Sequence, residues 1–264
     1  MQPDLAVIAP GYRVEAHNEL DSTNSAALRA ALDGAQSRLW ITAAQQTAGR
    51  GRVGRPWVSQ PGNLYASLLL INEFDPERAP ELGFVTGVAL GEVLIRHLPP
   101  PASPTLKWPN DILCNGKKLA GILLEGSQTP EGKFACVIGC GVNCMSHPDD
   151  SNYPATDLRE QGADVAPQDL LMQIAGQFAH WFETWRGPDG FARVREAWLG
   201  RAAYLGQEIS VAVHGGSVRG RFDTLDQYGH LVLHTPHGSE VINTGDVMLE
   251  SPAPGEVVDR FAGS

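Results

Sequence analysis

Apolar residues recur along the chain at two spacings, one typical of β-strands and the other of α-helices. Short apolar runs ended by turn formers predict strands over residues 12–17, 39–43, 63–70, 105–108, 111–114, 118–125 and 134–143. Helical spacing predicts helices over residues 26–32, 82–98, 169–185 and 191–199. Asp21 or Ser22 is placed to cap the first helix, and prolines 99–101 end the second. Asn115-Gly116 predicts a tight hairpin turn.

The pattern changes after residue 204. Short strands are predicted over 208–214, 217–225, 231–234 and 240–243, and glycine-containing turns separate them. This rhythm is typical of a small β-barrel. We therefore predict an α+β domain over residues 1–203 and a small β-barrel domain over residues 204–264, with the boundary near residues 201–206.

Composition and charge narrow the class of protein. With 42% hydrophobic and 19% charged residues, the 264-residue chain is predicted to be an ordinary soluble globular protein. Its net charge of -10, with no long run of lysine or arginine, argues against a nucleic-acid partner. Neither a signal peptide nor a run of 18 apolar residues is found, so we expect a cytoplasmic protein with no membrane partner.

The cysteines and histidines give weak signals. The four cysteines do not match a standard zinc spacing and are predicted to be buried, reduced thiols. Four of the eight histidines fall in the predicted barrel, away from the motifs described below. They are His214, His230, His234 and His237. A metal site on His230 and His234 is disfavoured because no further ligand has a clear spacing.

The first motif with chemical potential is a segment of alternating glycine and arginine, residues 49–55, which we call the arginine loop. Glycine allows close approach of the backbone to an anion, and arginine adds a permanent, two-pronged donor. The segment is neither a P-loop nor a dinucleotide-binding fingerprint. A solvated turn is the alternative, but so many donors next to Trp57 favour an anion-binding loop.

Two further motifs lie on predicted strands. Lys107 and Lys118 open apolar strands, where a cation directed inward needs an anionic partner. A surface position is the alternative for Lys107. Asn110 could donate from its amide, and Asp111 could complete a polar network or bind a metal. In the predicted strand over residues 134–143, glycines 139 and 141 indicate close approach of a ligand or backbone. Asn143, at the end of that strand, either contacts a ligand or forms a turn.

A fourth motif is the start of the first helix, residues 21–24. A helix N-terminus can bind small polar ligands or anions as well as carry its own cap. Taken in order, these motifs resemble the biotin protein ligases over nearly the whole chain. The resemblance rests on residues 21–24, Gln46 with residues 49–57 (GRGRVGRPW), residues 107–111 (KWPND), residues 118–125 (KLAGILLE) and residues 139–143 (GCGVN).

The resemblance implies a fold and a reaction. The fold would be a mixed or antiparallel sheet flanked by helices, as in class II synthetases, followed by a small SH3-like barrel. In the reaction, the carboxylate of biotin would attack the α-phosphate of Mg-ATP and give biotinyl-5′-adenylate and pyrophosphate, and a lysine of a biotin carboxyl carrier protein domain would then attack the mixed anhydride. The chemistry suits the residues, because adenylation depends on positioning and on cations around phosphate and carboxylate groups.

The resemblance also assigns roles to individual residues. Lys118 would be the main electrostatic catalyst, assisted by Arg50 and Arg52, and Asp111 would bind Mg²⁺ or order the site. Biotin would be held by Ser22, Thr23, Asn24, Gln46, Gly49, Arg50, Gly51, Arg52 and Lys118. ATP would be held by Arg52, Arg55, Trp57, Asn110, Lys118 and Asn143.

Several alternatives stay open at this stage. The first predicted strand begins near residue 12, so we expect no N-terminal helix-turn-helix and no repressor function. Lipoate and octanoate ligases share the fold implied by the resemblance, but the arginine loop and KWPND favour biotin. A non-catalytic biotin sensor would keep the pocket without Lys118 or the loop arginines, which are present here. Both a monomer and a homodimer are compatible with the sequence.

Overall fold

A computed structural model describes residues 6–148 and 153–249 of the chain. Within them, an eight-stranded mixed sheet has the order β1-β2-β3-β4-β8-β7-β6-β5. Only β2 and β3 pair in parallel among these neighbours. The strands are β1 (Ala6–Ala9), β2 (Tyr12–Leu20), β3 (Leu39–Gln46), β4 (Leu64–Ile71), β5 (Pro104–Lys107), β6 (Asp111–Cys114), β7 (Lys117–Gln128) and β8 (Phe134–Val142).

The described residues form four α-helices, of which the first three pack on the two faces of this sheet and the fourth packs against the second and third. They are α1 (Thr23–Leu32), α2 (Glu81–His97), α3 (Pro167–Arg186) and α4 (Gly190–Leu199). Alternate strand residues serve opposite faces, as the period of two requires. Leu68 joins the large core beneath α2, α3 and α4, whereas its neighbour Leu69 joins a smaller core beneath α1.

Local signals explain where these elements begin and end. The Ser22 hydroxyl accepts a hydrogen bond from the Ser25 amide at 3.4 Å, as expected of the residue that caps α1. Asn115 and Gly116 both have positive φ, 50° and 76°, which a two-residue type I′ hairpin requires. The hairpin fixes the register between β6 and β7 and thereby the positions of Asp111 and Lys118.

A second, antiparallel sheet follows, with the order β12-β11-β10-β9-β13. Its strands are β9 (Glu208–Val213), β10 (Gly216–Leu225), β11 (Leu231–Thr235), β12 (Gly238–Ile242) and β13 (Asp246–Leu249). It is tied to the large sheet by the Trp108 indole, which donates to the Gly229 carbonyl oxygen at 3.0 Å. The Leu106 amide and carbonyl bond the backbone at Arg201 and Ala203.

The predicted fold class is confirmed: a large sheet flanked by helices precedes an antiparallel β domain. Two strands, β1 and β13, were not predicted. The C-terminal end of the predicted barrel, residues 250–264, and the first five residues lie outside the described part of the chain. No helix in residues 6–148 or 153–249 is long and apolar enough to cross a membrane.

Candidate active site

A cavity of about 640 Å³ opens between the large sheet and the C-terminal sheet. Every predicted site residue except Gly49 lines it. The volume is in the range of pockets that bind small organic molecules. Its lining residues include four cations and two carboxylates, in a chain whose net charge is -10. The cations are Arg50, Arg52, Arg55 and Lys118, and the carboxylates are Asp111 and Asp246. This local excess of positive charge favours an anionic ligand.

One end of the cavity is a buried polar network at the start of α1. The Thr23 amide and hydroxyl both donate to Gln46 Oε1, at 2.8 and 3.2 Å. The Ser67 hydroxyl lies 2.7 Å from Thr23 Oγ1 and 2.6 Å from Asn24 Oδ1. Asn24 Nδ2 donates to Glu125 Oε2 at 2.7 Å. These bonds fix the groups that a polar ligand would meet, because each is already held by a neighbour.

Gly49 supports this network from outside the cavity. A Cβ at Gly49 would lie 2.6 Å from the Trp57 carbonyl oxygen and 2.9 Å from Gln46 Nε2. Gln46 Nε2 in turn donates to Ser59 Oγ at 2.9 Å. The close packing at this glycine therefore holds the start of the arginine loop against the amide of Gln46.

The floor of the cavity is made by glycines on two neighbouring strands, Gly121 on β7 and Gly139 and Gly141 on β8. On β8, Gly139 and Gly141 face the cavity, while Cys140 between them packs in the large core. A Cβ at Gly139 would overlap the Asn24 amide, and one at Gly141 would lie 2.6 Å from the Trp57 ring. The glycines are therefore needed because Asn24 and Trp57 approach the strand backbone closely.

The arginine loop lies over the cavity and is closed on itself by a hydrogen bond of 2.7 Å from the Gly51 amide to the Arg55 carbonyl. Arg50 donates to both oxygens of Glu125, at 3.1 and 3.0 Å. Arg52 donates to Asn110 Oδ1 and to the Gly245 carbonyl, both at 3.2 Å. The loop is thus attached to both sheets, and burial lowers the pKa of the Arg52 guanidinium.

Lys118 lies at the centre of the site. Its Nζ is 2.7 Å from Asp111 Oδ1 and 5.4 Å from the centre of the Trp57 ring. The ion pair is poorly aligned as a hydrogen bond, so Asp111 Oδ1 is buried without a well-aligned donor among the described residues. Asn143 is also buried beside the cavity, where its amide donates to the Thr156 carbonyl at 3.0 Å.

Lys107 is buried, with 6% of its surface exposed, so the alternative of a surface lysine is wrong. Its Nζ lies 3.3 Å from Asp246 Oδ1 and 4.5 Å from the centre of the Tyr153 ring. Asp246 also accepts hydrogen bonds from Arg55 and from the Tyr153 hydroxyl, each at 2.8 Å. Burial raises the pKa of Asp246, but Arg55, Tyr153 and Lys107 together lower it to about 2.

The structure corrects one prediction and adds residues that were missed. His214 lines the cavity, so it does not lie away from the other motifs. His230 instead bonds Asp226 at 2.9 Å.

The predicted buried, reduced cysteines are confirmed, since all four are free and buried. In residues 6–148 and 153–249, no three His, Cys, Asp or Glu side chains are grouped to hold a metal ion. The missed residues at the site are Ser67, Glu125, Tyr153, His214 and Asp246.

Comparison with known proteins agrees with this fold. Residues 18–143 match the biotin/lipoate A/B protein ligase family, and residues 204–249 match the biotin protein ligase C-terminal domain. The chain is 39% identical to a biotin–[acetyl-CoA-carboxylase] ligase from Paracoccus denitrificans, over 87% of this chain and 97% of that protein. It is 30% identical to a bifunctional ligase/repressor from Bacillus subtilis (strain 168), over 90% of this chain and 74% of the other.

Solved structures show the same relationship. A biotin protein ligase from Aquifex aeolicus, in complex with biotin and ATP, superposes with a TM-score of 0.76 at 27% identity. The match covers 90% of this chain and 98% of that one. The fold and site therefore define a protein ligase of the biotin and lipoate class. Within that class, the chain belongs to the biotin protein ligase family.

Proposed function

We propose that the biotin carboxylate attacks the α-phosphate of Mg-ATP, which gives biotinyl-5′-adenylate and releases pyrophosphate. The amine of a specific lysine of a biotin carboxyl carrier protein domain then attacks the mixed anhydride, forms the amide and releases AMP. The observation that carries the proposal is one cavity with a buried amide and hydroxyl network at one end and an excess of cations at the other. A neutral polar ring and an anionic polyphosphate would each find matching groups there. The Aquifex aeolicus ligase with biotin and ATP supports the same pair of substrates.

For biotin, we propose that the α1 network holds the ureido ring. Ser22, Thr23, Asn24 and Gln46 supply donors and acceptors in fixed directions, since they are bonded to one another and to neighbours. Gly49, Arg50, Gly51 and Arg52 would close over the valerate chain and the adenylate, with Lys118 near the carboxylate. The arginine loop already lies over this part of the cavity.

For ATP, we propose contacts from Arg52, Arg55, Trp57, Asn110, Lys118 and Asn143. Trp57 offers a flat ring at the glycine floor, where a purine could stack. The cations around Lys118 would stabilise the charge that develops at the α-phosphate. Such preorganised charges suffice because the biotin carboxylate is itself the nucleophile.

The residues at the ATP end fit Mg²⁺ in part. Asp111 presents a carboxylate at the cavity, where its Oδ1 is paired with the Lys118 ammonium at 2.7 Å, and Mg²⁺ prefers oxygen ligands. One or two carboxylates together with phosphate oxygens are a common set for this ion. We propose that Asp111 would hold Mg²⁺ with the triphosphate, and that the ion would neutralise phosphate charge.

The acceptor and the context are part of the same proposal. The Paracoccus denitrificans relative is named for acetyl-CoA carboxylase, which supports a carboxyl carrier domain as acceptor. We also propose that residues 1–203 form the catalytic domain and residues 204–264 a C-terminal domain, and that the protein acts as a monomer or homodimer. Its free thiols fit the reducing cytoplasm.

The proposal is tested by incubating the protein with radiolabelled biotin, ATP and a purified carrier domain, with and without Mg²⁺. We expect label on the carrier only when ATP and Mg²⁺ are both present. Calorimetry with biotin and with lipoate separates the nearest alternative, since we expect tight binding of biotin alone. Labelling of a lipoyl domain instead, or binding of biotin without any adenylate, would reject the proposal.

Arg52→Ala is expected to shorten the lifetime of the bound adenylate. Arg52 joins the arginine loop to Asn110 and to the Gly245 carbonyl, so its removal frees the loop on two sides. We expect release of biotinyl-adenylate to be about tenfold faster, the effect of losing hydrogen bonds to a charged group. Filter-binding release kinetics measure this. A lifetime equal to that of the unaltered protein would exclude the role.

A further inference from the structure

Asp246 connects three groups that come from distant parts of the chain. It is the first residue of β13, and its two oxygens accept from Arg55, Tyr153 and Lys107. The carbonyl of the preceding Gly245 accepts from Arg52. Two of the three loop arginines are therefore bonded to one end of a C-terminal strand, at distances of 2.8 and 3.2 Å.

The carboxylate is firmly held as an anion in this position. Its side chain is 22% exposed, and its pKa is lowered to about 2. Lys107 is nearly buried, so it holds Asp246 from the large sheet while Arg55 holds it from the loop. Asp246 therefore joins the large sheet, through Lys107, to the arginine loop, through Arg55.

We infer that Asp246 is a positioning residue that fastens the arginine loop to β13 and so retains the biotinyl-adenylate. The inference rests on the proposed function and gives the C-terminal sheet a part in it. In this role Asp246 does not touch the reacting atoms. It acts through Arg55 directly and, through its backbone neighbour Gly245, on Arg52.

A purely electrostatic role for Asp246 predicts the opposite effect. A carboxylate beside the cavity repels an anionic adenylate, so its removal alone should slow the release of the adenylate. Loss of a fastening, in contrast, should speed release because the loop opens more often. The direction of the change in release rate therefore distinguishes the two roles.

The test uses Asp246→Asn and the full-length protein loaded with radiolabelled biotinyl-adenylate from biotin and ATP. After gel filtration and a chase with unlabelled biotin and ATP, filter binding follows release. We expect release about tenfold faster than from the unaltered protein, since bonds to three donors are weakened. Asp246→Glu should recover most of the lifetime because it keeps the charge.

Asp223→Asn is the matched control. Asp223 is an exposed carboxylate on β10 of the same sheet, and it pairs only loosely with Arg221 at 3.7 Å. Its removal should leave the release rate unchanged. Trypsin gives a second measurement, as cleavage after Arg50 and Arg52 should accelerate in Asp246→Asn and not in Asp223→Asn.

Release from Asp246→Asn at an equal or slower rate overturns the inference. If Asp246→Asn does not fold, Tyr153→Phe decides, since it removes one hydrogen bond to Asp246 and keeps every charge. Faster release from Tyr153→Phe supports the inference, and an unchanged rate overturns it. Failure of the unaltered protein to form any labelled adenylate would instead reject the proposed function, so the two failures are distinguishable.

Discussion

Replacing Lys118 with alanine is expected to lower the rate of adenylate formation about a thousandfold, close to background, as for loss of a main charge-stabilising donor. Lys118 lines the cavity, and its ammonium lies between Asp111 and the Trp57 ring. No other lysine lines the cavity among the described residues. The variant therefore removes a charge that its neighbours cannot replace without moving.

The preceding lysine provides a matched control. Lys117 is adjacent on β7 but does not line the cavity, and it pairs with Glu160 at 2.8 Å on the surface. Lys117→Ala should change the rate by no more than about twofold, since exposed ion pairs contribute little. The rate of ATP–pyrophosphate exchange in the presence of biotin measures both variants.

The Lys118 variant also separates binding from chemistry. If Lys118 acts mainly on the developing charge, kcat should fall far more than the affinity for biotin. Isothermal titration of biotin into Lys118→Ala should then give a dissociation constant within about tenfold of the unaltered one. Carrier labelling at an undiminished rate would show that another group performs the catalysis.

Motifs that are contiguous in the sequence were the part of the site that could be predicted. The arginine loop places charged residues among glycines, and Lys118 places one beside an apolar strand. Both line one cavity in the structure. Pairing between strands contributes to this, since the hairpin at Asn115-Gly116 pairs Leu113 with Lys118 and Asp111 with Gly121. The Lys118 ammonium then reaches the Asp111 carboxylate at 2.7 Å. Their catalytic and binding roles remain predictions.

The missed residues carry signals that only the fold reveals. Ser67 is a single serine in the buried strand β4, where sequence alone suggests nothing more than packing. Asp246 begins the four-residue strand β13, which lies at an edge of the C-terminal sheet and pairs with β9. A strand of four residues is too short for its pattern of apolar and polar residues to distinguish it from a loop. Position across the sheet, rather than residue type, gives Asp246 its partners.

The orientation of Lys107 illustrates a different limit. Lys107 is predicted to open an apolar strand, whereas it ends β5, and either position is compatible with both a buried and a surface ammonium. The decision depends on whether an anion is present to meet it, and Asp246 lies 139 residues further along the chain. The position of His214 was also set by residues distant in the sequence, because the turn after β9 lies against the cavity.

Gly139→Ala is expected to weaken biotin binding about a hundredfold, which corresponds to the upper part of the range of overpacking costs. Gly139 faces the cavity from β8, and an added Cβ would overlap the Asn24 side chain, with Asn24 Cγ only 2.9 Å away. Asn24 cannot withdraw freely because Ser67 and Glu125 hold its oxygen and nitrogen. One methyl group must therefore displace the polar network or spread the strands.

The same substitution in a free position isolates this effect. Gly176 lies on the exposed side of α3, where an added Cβ meets nothing within 4 Å. Gly176→Ala should leave biotin binding unchanged and stabilise the fold by about 0.5–1 kcal/mol, since alanine is the better helix former. Calorimetric titration with biotin and thermal unfolding compare the two variants. If Gly139→Ala binds biotin as tightly as Gly176→Ala, then Asn24 moves without cost and does not define the biotin end of the cavity.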